Sequence, residues 1–247
     1  MTAVEQIEAK LLEKYTAPEN IELVKTSILY VSKKIAEKEN KNGQWVAKYN
    51  FDAGWLLQTI AECIDNGFAL DGVNYVITGN RMFMPTYKAY KNKVYMVYPE
   101  SVIDLQLIRE GDKYHFEKKS GQVIYSHEIG DPFTATEPNI IGAYCVIKNS
   151  RGEFLETLNA TDYQKMKDNS KTPSTWAKWP SEFWKKSVIR RACKTHFNDI
   201  TKSLDEQDNK AVGLEEVVKA STDKKKSIIE AKKAENNADS DNQTQAE

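Results

Sequence analysis

The hydrophobic period of this chain changes twice, and no other feature limits its fold as much. Up to residue 65, apolar side chains recur every three or four positions. They run Val4, Ile7, Leu11 and Leu12, then Ile21, Val24, Ile28, Val31 and Ile35, then an amphipathic stretch from Phe51 to Asp65. That spacing places them on one face of a helix. From Val73 to Leu158 the period falls to two, as strands with one buried face require. Helical spacing returns at 161–168 and 181–197. Helices, then antiparallel strands, then helices is an α+β order, because no alternation of strand and helix runs through the middle.

Local signals sharpen this. Thr16 with Glu19 fits a capping box, and Pro18 suits the first turn of a helix reaching about Lys38. Lys38 to Lys48, with Asn42-Gly43, is expected as a polar loop. Asn66-Gly67 closes the third helix. Val73–Ile77 and Arg81–Pro85 predict a hairpin around Gly79-Asn80. Tyr87–Lys91 predicts one or two helical turns. Strands are expected at 95–108, 113–118 and 122–128, and as a second hairpin at 140–148 and 153–158. Loops are expected at Asp131-Pro132 and Glu137-Pro138. The architecture expected is a small antiparallel β-sheet meander packed by flanking helices.

After Phe197 the aromatic residues stop, and the last fourteen residues hold four acids and no base. Such a composition predicts a disordered acidic C-terminal tail, with two short helices at most, at 212–218 and 224–233. Three segments follow: N-terminal helices over 1–48, a core over 49–200, and a tail over 201–247.

Several function classes lack a signature. No apolar run approaches the ~20 residues that span a bilayer, and the start of the chain is polar and mixed in charge. A cytoplasmic protein is expected. Cys63, Cys145 and Cys193 are best read as small buried side chains. There is no Gly-Lys-Ser/Thr phosphate loop, no glycine-rich dinucleotide turn, no zinc spacing and no Gly-x-Ser-x-Gly elbow. Acids at Asp104, Glu110, Asp112, Glu117, Glu128 and Asp131 permit either metal-dependent phosphodiester chemistry or ordinary solvated turns.

Charge is unevenly spread. The whole chain carries 35 bases against 36 acids, yet Lys165 to Lys194 holds nine Lys/Arg against only Asp168 and Glu182. Trp176, Trp179, Phe183 and Trp184 are interleaved with them, with Trp176 and Trp179 in what reads as a Pro-bounded loop. Cations neutralise phosphates and aromatic faces stack on bases, which is what a flexible single strand needs. On a helical wheel from 181 to 197, Trp184, Val188, Ile189, Ala192 and Cys193 share one side. Lys186, Arg190 and Lys194 share the other, with Arg191 alongside. Like charges stacked ~6 Å apart repel by a few tenths of a kcal/mol per pair, so a polyanion along them is one way to balance the face. Lys88, Lys91 and Lys93, among Tyr87, Tyr90 and Tyr95, make a second cluster and a possible second wall of a groove. Tyr87 and Tyr90 divide evenly between core packing and base contact, and Lys165 and Lys167 between contact and simple exposure.

The run Trp179-Pro180-Ser181-Glu182-Phe183-Trp184-Lys185-Lys186-Ser187-Val188-Ile189-Arg190-Arg191-Ala192-Cys193-Lys194 resembles the signature of the RecT/Red-beta family of phage single-strand annealing proteins. Gly67-Phe68-Ala69-Leu70, Thr86-Tyr87-Lys88-Ala89-Tyr90 and the stretch from Val102 to His127 resemble its looser blocks. The resemblance covers about 50–200. Ala89 stands where the family usually has Gly, Trp184 where it has Met, and Met82 and Met84 where a Gln often sits.

The resemblance implies an ATP-independent protein that binds single-stranded DNA, pairs complementary strands and assembles into rings or helical filaments. It implies a DNA-binding groove in which Lys186, Arg190, Arg191 and Lys194 hold phosphates and Lys88 sits on the facing wall. Lys91, Lys178 and Lys185, with Trp176 and Trp179, complete the candidate DNA-binding set. The N-terminal helices would pack on the next subunit, and the tail would recruit a phage exonuclease or the host single-strand binding protein. No cofactor is expected, although Mg²⁺ can modulate DNA binding. The alternatives are a metal-dependent nuclease using Asp104, Glu117 or Glu128, and a passive single-strand DNA or RNA binder.

Overall fold

The computed structural model describes residues 2–79, 82–119, 122–130, 140–170 and 173–208. It is an α+β structure with several small antiparallel sheets. Helix α1 (Ala3–Lys14) opens with a capping box, in which Thr2 and Glu5 satisfy each other's backbone N–H. Helix α2 (Pro18–Ala36) has Ala17 at its N-cap and no side-chain cap bond, so the box expected from Thr16 and Glu19 is not formed. Ser27 of α2 is fully buried. Its hydroxyl donates to the Leu23 carbonyl and accepts from the Leu70 N–H, which pins the segment after α3 (Ala53–Asp65) to α2.

The segment expected as a polar loop is a hairpin, β1 (Lys38–Lys41) and β2 (Gln44–Ala47). Its turn, Asn42-Gly43, has positive φ at both residues, 53° and 85°, as a type I′ turn demands. The polar strand Lys-Glu-Asn-Lys hid it from a hydrophobic period. A second hairpin, β3 (Tyr75–Gly79) and β4 (Met82–Pro85), turns Tyr75 and Ile77 into the core and leaves Val76 and Thr78 outward.

Helix α4 (Tyr87–Val97) is three turns long, not one or two, and takes in the residues expected to start the next strand. The strands do not form a single meander. β5 (Val102–Arg109), β8 (Ile140–Asn149) and β9 (Gly152–Asn159) make one sheet in the order β5-β8-β9. Between β5 and β8 the chain makes a separate hairpin, β6 (Lys113–Lys119) and β7 (Gln122–Glu128).

Central strand β8 is buried on both faces. Ala143, Cys145 and Ile147 join the main core, where β8 packs on α7 (Pro180–His196). Tyr144 and Val146 face Phe116 and Tyr125 of the β6–β7 hairpin. That hairpin is also pinned by a polar chain. His127 and Asp112, both almost fully buried, meet at 3.1 Å; the Tyr144 hydroxyl lies 3.4 Å from the other His127 nitrogen and donates to Asp104 at 3.2 Å. Burial works against the Asp112 charge. The N–H groups of Gly130 and Arg109, together with His127, outweigh it and hold the carboxyl below its ordinary range.

Trp184, on the apolar side of α7, stacks face to face on Tyr163 of α5 (Ala160–Asp168), with centroids 4.0 Å apart. Trp176 lies on a short helix, α6 (Pro173–Lys178), not in a loop. After α7, residues 198–208 form a further helix, α8, whose Thr201 and Leu204 are fully buried. Residues 201–208, expected in the tail, are therefore part of the packed body. The rest of the expected tail, with its two short helices, lies outside the described residues, as do the loops at Asp131-Pro132 and Glu137-Pro138. The three cysteines are free and fully buried, and burial pushes the Cys145 thiol up to about 12.

Two outcomes test this account. Leu204→Ala should cost ~2–5 kcal/mol in urea unfolding, as for other core leucines; a cost near zero would return α8 to the tail. Asp112 has a lowered pKa in the folded state, so its contribution is present above the unfolded value of ~4 and fades as pH falls through the folded value. The difference in melting temperature between wild type and Asp112→Asn should therefore narrow below about pH 4 in a pH series of thermal melts.

Candidate nucleic-acid interface

Helix α7 starts at Pro180, with Trp179 at its N-cap, and its apolar side is as the wheel predicts: Trp184, Val188, Ile189, Ala192 and Cys193 are all buried. The cationic side is not open. Lys186 meets Asp208 at 2.6 Å. Arg190 meets Asp205 through Nε and Asp208 through Nη1, both at 2.7 Å. Asp205 also accepts from the buried Tyr90 hydroxyl at 3.0 Å. Burial disfavours the Arg190 charge, yet Asp208, Tyr90 and Asp205 outweigh it and its pKa is raised. Arg191 donates to Asp162 of α5 and to the Thr157 carbonyl of β9.

The expectation of a bare stripe of Lys186, Arg190 and Arg191 is thus corrected. The like charges are balanced by carboxylates of the chain itself, from α8 and α5. No local period signals this, because the partners lie 15 to 29 residues away.

Lys194, near the end of α7, is exposed. Trp176 is half-buried, stacked on Phe183 at 4.6 Å and tilted against Tyr163 at 5.3 Å, so it packs the interior where a base-stacking role was expected. Lys93 turns inward to the Asn66 carbonyl at 2.8 Å, and its pKa is lowered by burial. Tyr90 is core.

The remaining candidates do gather. Helices α4 and α7 pack together, and Tyr87 at the start of α4 lies under two cations. Lys185 Nζ is 5.7 Å from its ring centre and Lys88 Nζ 6.0 Å. These distances suit cation–π contact. Lys178 lies 5.6 Å from the ring of Trp179, which is 55% exposed. Lys91 sits 5.8 Å from Tyr95, further along α4. Both Tyr87 and Trp179 line one pocket of about 280 Å³ between the β3–β4 hairpin and the first turns of α7. Its floor is the outward face of the hairpin, Val76, Thr78 and Met84. That face was missed from sequence, although the alternation of β3 points to it.

The acids considered for metal chemistry are dispersed. Asp104 accepts from Tyr144. Glu128 pairs with Lys113, while Glu117 lies four residues along β6 from that pairing, ~13 Å at strand rise. Among the described residues no group of three His, Cys, Asp or Glu is placed to hold a metal ion. Nor, among them, is any helix long and apolar enough to cross a membrane.

A family model described as the RecT family matches residues 75–230, from the first residue of β3 to beyond α8. No curated protein matches the chain.

If Arg190 anchors α8, Arg190→Ala should cost about 3 kcal/mol in chemical unfolding, since Asp205 and Asp208 would be left buried and underpaired. A loss below about 1 kcal/mol would make the pairs ordinary surface bridges.

Proposed function

Because the chain belongs to the RecT family, we propose that it binds single-stranded DNA and pairs complementary strands without ATP, as a recombination protein of phage type in the cytoplasm of a bacterial host. The observation that carries this is the cluster at the α4–α7 edge: Lys88, Lys178 and Lys185 around Tyr87 and Trp179. Half-exposed rings beside ammonium groups suit a backbone of phosphates with unpaired bases. A duplex reader has its bases already stacked and gains little from such rings.

In this reading Lys88, Lys178 and Lys185 hold phosphates, joined by Lys91 on α4 and by the exposed Lys194 near the end of α7. Trp179 and Tyr87 stack on bases. Lys186, Arg190 and Arg191 act indirectly, by fixing α7 against α8 and α5 so that the rings and ammonium groups keep their places. Annealing follows by templating. One strand is held along its backbone and the second samples register against it. Matched pairs stack and stay, and mismatches leave. No bond is made or broken, so no catalytic residue is needed; the free energy comes from pairing, stacking and counterion release.

Assembly into rings or filaments places many such sites along one strand. Trp45 at 69% exposure and Leu29 at 57%, both in the N-terminal elements, support a role for this region in packing on the next subunit. The acidic residues beyond α8 would recruit a phage exonuclease or the host single-strand binding protein. Mg²⁺ is not required, though it can modulate binding.

The double variant Lys178→Ala/Lys185→Ala should bind an oligonucleotide more weakly, with its log–log salt slope reduced by about 1.4, or ~0.7 per lost phosphate contact. It should also speed the pairing of complementary oligonucleotides less than wild type does. An unchanged slope would remove these lysines from the interface. Wild type that slows pairing would be a passive binder, and loss of full-length end-labelled strand with Mg²⁺ or Mn²⁺ would mark a nuclease.

A further inference from the structure

The pocket between the β3–β4 hairpin and α7 is lined almost wholly by apolar atoms, yet cations stand around it. At about 280 Å³ it falls just below the ~300–1,000 Å³ of drug-sized ligand sites and is partly open to solvent. Its walls are aromatic: Tyr87 at one end, Trp179 and Phe183 on α7. We infer that this pocket takes one nucleobase of the bound strand, turned in from the backbone and held between the hairpin floor and the rings of α7. This rests on the single-strand reading and adds to it a seat for a base, distinct from stacking on the surface.

Three observations select a base over other occupants. First, the apolar floor of Val76 and Met84 offers nothing to a phosphate. Second, the charged groups that line the pocket disfavour one. Glu182 is among the lining residues, and a carboxylate there repels a nearby anion but accepts from the amino or imino group of a base. The charge of Lys186 is already balanced by Asp208. Third, Lys178 and Lys185 lie beside the rings, where the flanking phosphates of an inserted nucleotide would run. An apolar protein segment would meet those ammonium groups with no anion to match them.

Filling the pocket tests this on the full chain. Val76→Phe occupies the floor, and Thr78→Trp does so from an exposed position on β3. Each is compared with wild type on two probes of equal length and charge: an ordinary oligonucleotide and a base-free deoxyribose-phosphate strand. The ordinary strand should bind about tenfold more weakly to either filled variant, while affinity for the base-free strand stays within twofold of wild type.

Filled variants that bind both strands as wild type does would overturn the inference. So would equal loss on both, which would place the effect on the backbone path, and so would tighter binding of the ordinary strand, which would assign the pocket to another occupant. Wild type that binds both strands equally well removes the base seat and leaves the single-strand reading standing. Wild type that binds neither removes that reading itself.

Discussion

The ion pairs joining α7 to α8 set the terms for the rest of the structure. Lys186 and Arg190 are one helical turn apart, so their charges repel along α7 unless something anionic faces them. Asp205 and Asp208 lie three residues apart on α8; Asp208 meets both cations and Asp205 meets Arg190, all at 2.6 to 2.7 Å. Breaking such a set by removing one member is costly, because the partner is left charged and partly dehydrated. The network therefore ties α8 to α7, and through Tyr90 to α4. With those three helices fixed, the start of α7 is held against the β3–β4 hairpin, and the pocket between them has a defined shape.

Much of this was legible in the chain itself, and the gaps have physical causes. The apolar side of α7 follows from spacing alone, because burial of Trp184, Val188, Ile189 and Cys193 is a local property of the helix. The hairpin β3–β4 and the strands β5 to β7 follow from period two, whereas β8 is apolar on both faces and is marked instead by the turn that joins it to β9. The β1–β2 hairpin did not, since its strands carry too little apolar surface for a hydrophobic period, although Asn42-Gly43 is the dipeptide such a turn prefers. Helix α8 escaped for a related reason. Leu204 is its one large buried apolar side chain, and what holds it otherwise is pairing with residues far back in sequence. Long-range pairing is invisible to any window of ten or fifteen residues. For the same reason the helical face that carries the cationic stripe is legible in the sequence, and the carboxylates that pair with it are not.

The aromatic residues divide in an instructive way. Three tryptophans sit within nine residues, and sequence treats Trp176 and Trp179 alike. Packing separates them. Trp176 joins Tyr163, Trp184 and Phe183 in a stacked interior set, which stiffens the approach to α7. Trp179, at the N-cap, has no such company and faces out beside Lys178. The exposed ring thus stands at the start of a helix whose first turns are held, through Phe183 and Trp184, by that aromatic set.

The cysteines have one more consequence. Cys63, Cys145 and Cys193 lie in α3, in β8 and in α7, and each has no solvent contact and a raised pKa. Thiolates are the reactive form, so all three are shielded twice, by access and by protonation. A thiol reagent reaches them only when its own stretch of the body opens. The chain thereby carries three internal clocks, and their separate rates of modification would rank how often helix, sheet and helix come apart.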